Sequence, residues 1–260
     1  MKAAFYFSII MLVFASCGRR EMPSDINLEQ AHNPKAQHIL APGMGTIGII
    51  NGGSIHIYYP GEDGSWLADE RSRFDIPESN RGVLAMGMGT LAVAEGGMLN
   101  FYRLDAFNKW QQEEYLSFSL PEQYNRITAM KMPWEIGVIG IERQGIIDFY
   151  YFYDKTWQYD PTASFVIPSG ISSFYLTGDM TIAVVDGHKL GLYYLTPDEG
   201  WEFMNQDSYV LLLPDGYEGI IPYDNRTIAV LRDSKLHFFS LDLENDRWVI
   251  LTKLQFNLPF

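Results

Sequence analysis

The stretch that decides the fold is Leu91–Pro121, which reads "LAVAEGGMLNFYRLDAFNKWQQEEYLSFSLP". An apolar run leads to a glycine pair, then to an alternating segment, then to a tryptophan, and the stretch ends in Leu-Pro. Each apolar or alternating part has the length and pattern of a short β-strand, and the glycine pair suits a tight hairpin turn with positive φ.

The same order occurs five times. The tryptophans that carry it are spaced 44, 47, 44 and 47 residues apart, and the prolines that follow Ile or Leu are spaced 44, 47, 46 and 45 apart. Before each tryptophan stands one of the runs "TIGII", "TLAVA", "EIGVI", "TIAVV" and "TIAVL". Four short strands in a period of this length are typical of a propeller blade. We predict an all-β fold, a five-bladed β-propeller of four-stranded antiparallel blades, with repeats at about 37–79, 80–123, 124–169, 170–215 and 216–260.

Two recurring positions predict how the blades pack. The third residue of each quoted run is small, which suits the close approach of a neighbouring blade; these residues are Gly48, Ala92, Gly137, Ala183 and Ala229. The repeated tryptophans begin the outermost strand, where we expect them to pack on the next blade rather than to serve as platforms for sugars. The tryptophans are Trp66, Trp110, Trp157, Trp201 and Trp248. No strand is left over, so closure requires packing of blade five on blade one or a strand from the preceding segment.

The first two copies also carry the marks "GG…Y…W…P" in that order. This pattern resembles the kelch repeat, although the later copies lose the glycine doublet. The resemblance implies a propeller over residues 37–260 and implies little about function, because propellers carry many functions.

The N-terminus predicts export and lipid attachment. Residues 1–16 form a short apolar segment behind Lys2 that is too short to span a bilayer. The segment ends in "FASC", which resembles the lipobox of bacterial lipoproteins, and Cys17 is the only cysteine of the 260 residues. The resemblance implies a signal peptide at 1–16 and a lipid on Cys17. The alternative is an ordinary secretory signal with an incidental cysteine.

Residues 17–36 are polar and without apolar periodicity, so we expect a tether that links the lipid to the propeller. These features predict a protein of the bacterial cell envelope that is held at a membrane, the outer one, by its lipid anchor. A formal net charge of −13 argues against a nucleic-acid partner, because such a partner requires a basic surface.

The chain shows no catalytic pattern. The predicted innermost strands contain no Asp or Glu, whereas glycoside hydrolysis usually needs a pair of carboxylates. No phosphate-binding loop and no metal-ligand spacing is present. His56, Asp148 and His237 occupy matched third-strand positions, but residues on different blades lie too far apart to share a metal ion. We expect a protein without catalytic residues, cofactor or bound metal.

Recognition of a partner remains as the expected activity. Loops from the second to the third strand and loops between blades share one face of a propeller, and we predict that the binding site lies there. The candidate residues are Glu95, Glu142, Arg143, Asp186, His188, Arg232, Asp233, Tyr124 and Tyr217. Trp134, which has no aromatic counterpart in the other copies, is a candidate surface contact. Because the loops differ between copies, we favour one protein partner and a scaffold or assembly role; the alternative is a glycan-binding cell-surface lectin.

Overall fold

The computed structural model describes residues 27–28, 38–132, 136–196, 198 and 200–259. The chain forms five antiparallel sheets in a ring, so the predicted five-bladed β-propeller is confirmed. The signal peptide, Cys17, Trp134 and all of the expected tether except residues 27–28 lie outside the described residues. No helix in the described part of the chain is both long enough and apolar enough to cross a membrane.

Blades one to three follow the order of the sequence from the centre of the ring outwards. Blade one contains β2 (Ile39–Gly43), β3 (Thr46–Asn51), β4 (Ser54–Pro60) and β5 (Trp66–Asp75). Blade two contains β6 (Val83–Gly87), β7 (Thr90–Glu95), β8 (Met98–Leu104), β9 (Trp110–Gln112) and β10 (Phe118–Ser119). Blade three contains β11 (Arg126–Met130), β12 (Val138–Arg143), β13 (Ile146–Tyr153) and β14 (Thr156–Val166).

Blades four and five repeat this order. Blade four contains β15 (Ser173–Leu176), β16 (Thr181–Asp186), β17 (Lys189–Thr196), β18 (Gly200–Phe203) and β19 (Leu211–Leu212). Blade five contains β20 (Gly219–Pro222), β21 (Thr227–Arg232), β22 (Lys235–Asp242) and β23 (Arg247–Asn257). In blades two and four the outermost strand is divided by a short 3-10 helix, Glu114–Leu116 and Asp207–Tyr209 respectively.

The core lies between the blades rather than within one. Buried apolar residues form five clusters, and each cluster joins two neighbouring blades. The cluster between blades five and one includes Ile39 and Ile49 on one side and Phe238 and Phe256 on the other. The ring is therefore closed by packing of blade five on blade one, which was the first of the two predicted possibilities.

The repeated tryptophans form a second ring, near the outer strands. Each indole N–H donates a hydrogen bond of 2.7–2.9 Å to a backbone carbonyl of the preceding blade. Trp157, for example, donates to Leu116 and packs on Phe101 and Phe118 of blade two. The expectation of packing is confirmed, but the prediction that each ring covers the next blade was wrong. Trp66 closes the ring, because it donates to Gln255 of blade five.

The small position of the second strand is correctly predicted in four blades and wrong in the third. The pairing of β12 with β13 places Gly140, not Gly137, opposite Phe149, as Gly48 lies opposite Ile57 in blade one. The first hairpin of blade three is four residues longer than the others, because Thr128 pairs with Gly140 where Leu40 pairs with Gly48 in blade one. A Cβ on Gly140 would lie 2.8 Å from Leu176 of blade four, so the reason given for a small residue holds.

Part of the segment expected to be a tether is a strand. β1 (Asn27–Leu28) pairs in parallel with β11, on the edge that faces the central channel. Asn27 pairs with Arg126 and Leu28 with Ile127. This added strand therefore lies on blade three and takes no part in the junction of blades five and one.

Candidate functional site

The disc has two faces that differ in their loops. The loop face carries the turns between second and third strands and the connections between blades. The hairpin face carries the hairpins between first and second strands and the outer loops between third and fourth strands. All nine residues predicted as a binding site belong to the loop face.

On the loop face the predicted residues form local pairs instead of one pocket. Arg232 forms an ion pair of 3.2 Å with its neighbour Asp233. The ring of His188 lies 6.2 Å from that of Tyr217, and Glu142 accepts a hydrogen bond of 3.1 Å from Asn125. The remaining contacts are equally local: Glu95 accepts a hydrogen bond from Ser79, Arg143 pairs with Asp148, and Tyr124 packs against the core.

The buried carboxylate of Asp148 shows what such a pair does. Asp148 is nine-tenths buried, and besides Arg143 it accepts hydrogen bonds from Ser164 at 3.0 Å and from Tyr159 at 3.2 Å. A buried charge with this set of partners is a satisfied structural element of blade three. Within the described ranges, no three His, Cys, Asp or Glu side chains lie close enough to share a metal ion.

The hairpin face contains a cavity of about 720 Å³ at the mouth of the central channel. Its wall comes from the first hairpins of all five blades. The residues that line it are Gly43, Met44, Gly87, Met88, Lys131, Met132, Asp179, Tyr223, Asp224, Asn225, Arg226, Thr227 and Ser240. None of the nine predicted site residues lies in this wall. Sequence reasoning missed this site, although the repeated "GMGT" at Gly43–Thr46 and Gly87–Thr90 was a visible signal.

Hydrogen bonds and one β-bridge join the hairpins of this face to one another. The N–H of Gly89 donates to the carbonyl of Pro42 at 3.0 Å, and the backbone of Lys131 forms an isolated parallel β-bridge with that of Gly178. The Tyr223 hydroxyl donates to the carbonyl of Gly45 at 2.6 Å, which joins blade five to blade one. The ammonium of Lys131 donates to the carbonyls of Pro222 and Tyr223, across from blade three to blade five. Below this ring the channel narrows to a cavity of about 30 Å³, the space of one water molecule.

A second cavity of about 590 Å³ adjoins the first between blades four and five. The two cavities share Asp179, Asn225 and Arg226. The wall of the second one is mostly apolar, and its larger side chains are Met180, Leu192, Tyr194, Met204, Ile228, Leu241, Leu243 and Trp248. The hairpin face therefore presents one continuous depression with methionines in both parts.

Comparisons with known proteins find distant likenesses among solved structures and no family. No protein-family model and no curated protein matches the chain, so the kelch resemblance extends to the propeller architecture alone. Among solved structures, Hsv2p of Kluyveromyces lactis is 8% identical over 91% of this chain and 100% of that chain, with a TM-score of 0.43. The WD40 domain of SCAP from fission yeast is 13% identical over 89% of this chain and 57% of that one, with a TM-score of 0.38. A functionally unknown protein from Desulfotomaculum acetoxidans is 12% identical over 82% and 67%, with a TM-score of 0.38.

Proposed function

We propose that this chain is a non-catalytic, lipid-anchored propeller of the bacterial cell envelope that binds another protein, as a scaffold or assembly partner. The observation that carries the proposal is the hairpin face, where two adjoining cavities lined by methionines lie on a ring of hairpins held by mutual hydrogen bonds. Concave apolar surfaces with a few polar groups are the usual form of a recognition site. Methionine is common on surfaces that bind proteins, because its unbranched thioether adapts to a partner.

The alternative, a lectin, is less well supported. Sugar binding in a propeller would use the repeated tryptophans as exposed platforms, one on each blade. Each of these indoles is instead packed between two blades, and its N–H already donates to a backbone carbonyl. The residues that the blades contribute to the two cavities also differ from one blade to the next, which suits one asymmetric partner better than a repeated sugar.

The position of β1 supports an orientation for the anchored disc. β1 runs parallel to β11, so Asn27 lies at its end towards the loop face and Leu28 at its end towards the hairpin face. Nine residues lie between Cys17 and Asn27, so the two can be at most about 35 Å apart. With a lipid on Cys17, the loop face would lie towards the membrane and the hairpin face would point away from it.

The anchor has a direct test. Metabolic labelling with a palmitate analogue should label the parent chain and should not label Cys17→Ala. We expect the variant to be released from the membrane or to remain as an unprocessed precursor. A Cys17→Ala variant that stays processed and membrane-bound would exclude the lipid anchor.

The binding function is tested by photo-crosslinking in cells that express the full chain. The crosslinking amino acid is placed at Met44 or Phe107 on the hairpin face and, as a control, at Asp186 or Asp233 on the loop face. We expect one discrete protein adduct from the hairpin face. No adduct from any of the four positions, together with specific sugar binding on a glycan array, would replace this proposal with the lectin.

A further inference from the structure

Two methionines on the hairpin face stand in an unfavourable backbone conformation. Met44 and Met88 have φ of +57° and +51°, and each is followed by a glycine with positive φ, so each pair forms a two-residue hairpin turn of type I′. Asn or Gly is the favoured residue at these positions, and a residue such as Met costs on the order of 1 kcal/mol there. Both side chains project outward, with 76% and 46% of their surface exposed. Neither the turn nor the core therefore requires methionine.

The exposed apolar surface continues beyond these two residues. Met132 lines the same cavity, and Met180 and Met204 line the adjoining one. Phe107, on the outer loop of blade two, belongs to the same face and is 79% exposed. Exposed methionine and aromatic side chains on one face are typical of a surface that a partner covers.

The outer loops on this face carry mostly acidic side chains, whereas the wall of the depression contains Lys131 and Arg226 as well as Asp179 and Asp224. In the described residues of the five outer loops (61–65, 105–109, 154–155, 198 and 243–246), the basic residues are Lys109 and Lys155. The acidic ones are Glu62, Asp63, Asp105, Asp154, Asp198, Glu244 and Asp246.

Two of these carboxylates are held in the charged form. The hydroxyl and N–H of Ser65 donate to Asp63 at 2.6 and 2.9 Å and lower its pKa. The backbone N–H groups of Lys109 and Phe107 do the same for the pKa of Asp105. These two carboxylates therefore keep their charge in mildly acidic as well as neutral solution.

We propose that the hairpin face is the docking surface, and that it takes a cationic amphipathic segment of a partner protein, with apolar side chains for the methionine-lined depression and Lys or Arg for the acidic rim. This inference rests on the proposed function and names its face and partner class. Complementary charge is what favours this occupant. A second copy of the chain is disfavoured, because its net charge of −13 would repel the same rim.

The test uses two fluorescent peptides, LKKLLKLLKKLLKL and its acidic counterpart LEELLELLEELLEL. The full chain is placed in nanodiscs of zwitterionic lipid, with empty nanodiscs as the blank, and binding is followed by anisotropy at physiological salt. We expect the cationic peptide to bind at least about tenfold more tightly than the acidic one, since a few apolar anchors and complementary charge each change affinity by this order.

Two variants locate the site. Met44→Asn/Met88→Asn removes the thioethers and leaves an Asn-Gly turn, which the type I′ hairpin prefers, so the fold is kept. We expect this variant to lose about tenfold in affinity for the cationic peptide. Met98→Gln, a half-buried methionine on the loop face, is the matched control and should change affinity less than about twofold.

Charge is tested in the same way. Neutralising Glu62, Asp154 and Glu244 on the hairpin face should weaken binding several-fold more than neutralising Asp186, Asp215 and Asp233 on the loop face, although both sets remove the same charge. Equal effects of the two sets, an unchanged affinity of the Asn variant, or self-association of the parent would overturn the inference. A protein adduct from the hairpin face with no binding of the cationic peptide would leave the proposed function standing and reject only this partner class.

Discussion

The contacts between neighbouring blades, here called seams, repeat around the ring, whereas the residues of the hairpin face differ from blade to blade. At the seams every blade does the same thing: one indole donates to a carbonyl of the preceding blade, and an apolar cluster fills the space between. On the hairpin face the blades differ: blades one and two present Met-Gly turns, blade four an Asp-Met turn, and blade five Asn225 and Arg226. The repeated tryptophans and apolar clusters hold the disc together, and the hairpin residues that differ between blades shape its surface. Stability and binding should therefore separate cleanly under substitution.

The largest effect is expected at a seam. Trp157→Ala removes a ring that contacts Phe101 and Phe118 and leaves the carbonyl of Leu116 without its donor. Loss of a packed tryptophan costs about 3–5 kcal/mol, and in a chain of this size each kcal/mol lowers the melting temperature by about 2–4 °C. Phe107→Ala, an exposed aromatic on the hairpin face, is the control and should change stability by less than about 0.5 kcal/mol. Equal shifts in the two thermal melts would contradict the account.

The next effect concerns close approach between blades three and four. A methyl group on Gly140 would lie 2.7 Å from Thr128 and 2.8 Å from Leu176. Overpacking of this kind costs about 1–3 kcal/mol, so Gly140→Ala should lower the denaturant midpoint. Blades two, four and five hold alanine at the equivalent position, so a methyl group is accommodated there. If Gly140→Ala left the denaturant midpoint unchanged, the space around this position in blade three would be as large as in those three blades.

A smaller effect is expected at the junction of blades five and one. Tyr223→Phe removes the hydrogen bond of 2.6 Å to the carbonyl of Gly45, a contact worth about 1 kcal/mol. Tyr209→Phe is matched, because its hydroxyl donates to Asp246 at 2.6 Å on the exposed rim, where water can replace it. Urea unfolding should show a loss for Tyr223→Phe and almost none for Tyr209→Phe. A larger loss of stability for Tyr209→Phe than for Tyr223→Phe would mean that the hydrogen bond at this junction contributes little to the stability of the ring.

The sequence predicts the seams better than the faces, for a physical reason. Five-fold repetition of Trp, Pro and an apolar run reports the packing that every blade must satisfy, so the blade count and the strand order follow from it. Hairpin length is not constrained in that way. The first hairpin of blade three has four more residues than the others, and the small position lies at Gly140, three residues beyond the predicted Gly137.

The candidate site was beyond sequence reasoning for a related reason. A cavity at the channel mouth depends on five hairpins that are far apart in the chain, and each contributes a different residue. The sequence displays "GMGT" twice, but it does not tell that Met44 and Met88 take positive φ or that both face one depression with Asn225 and Arg226. The charged loop residues, by contrast, are visible in the sequence, and most of them contact partners nearby in the structure.

The central claim, that the repeat stabilises the disc and the departures from it bind the partner, is tested most directly by measuring two quantities on three proteins. The proteins are the parent, Trp157→Phe and Met44→Asn/Met88→Asn, and the quantities are the melting temperature and the Kd for the cationic peptide. We predict that Trp157→Phe melts earlier and keeps its Kd within about twofold. The double variant should melt at the same temperature or later, because Asn relieves the unfavourable turns, and its Kd should rise about tenfold. A double variant that melts earlier with an unchanged Kd would contradict the account.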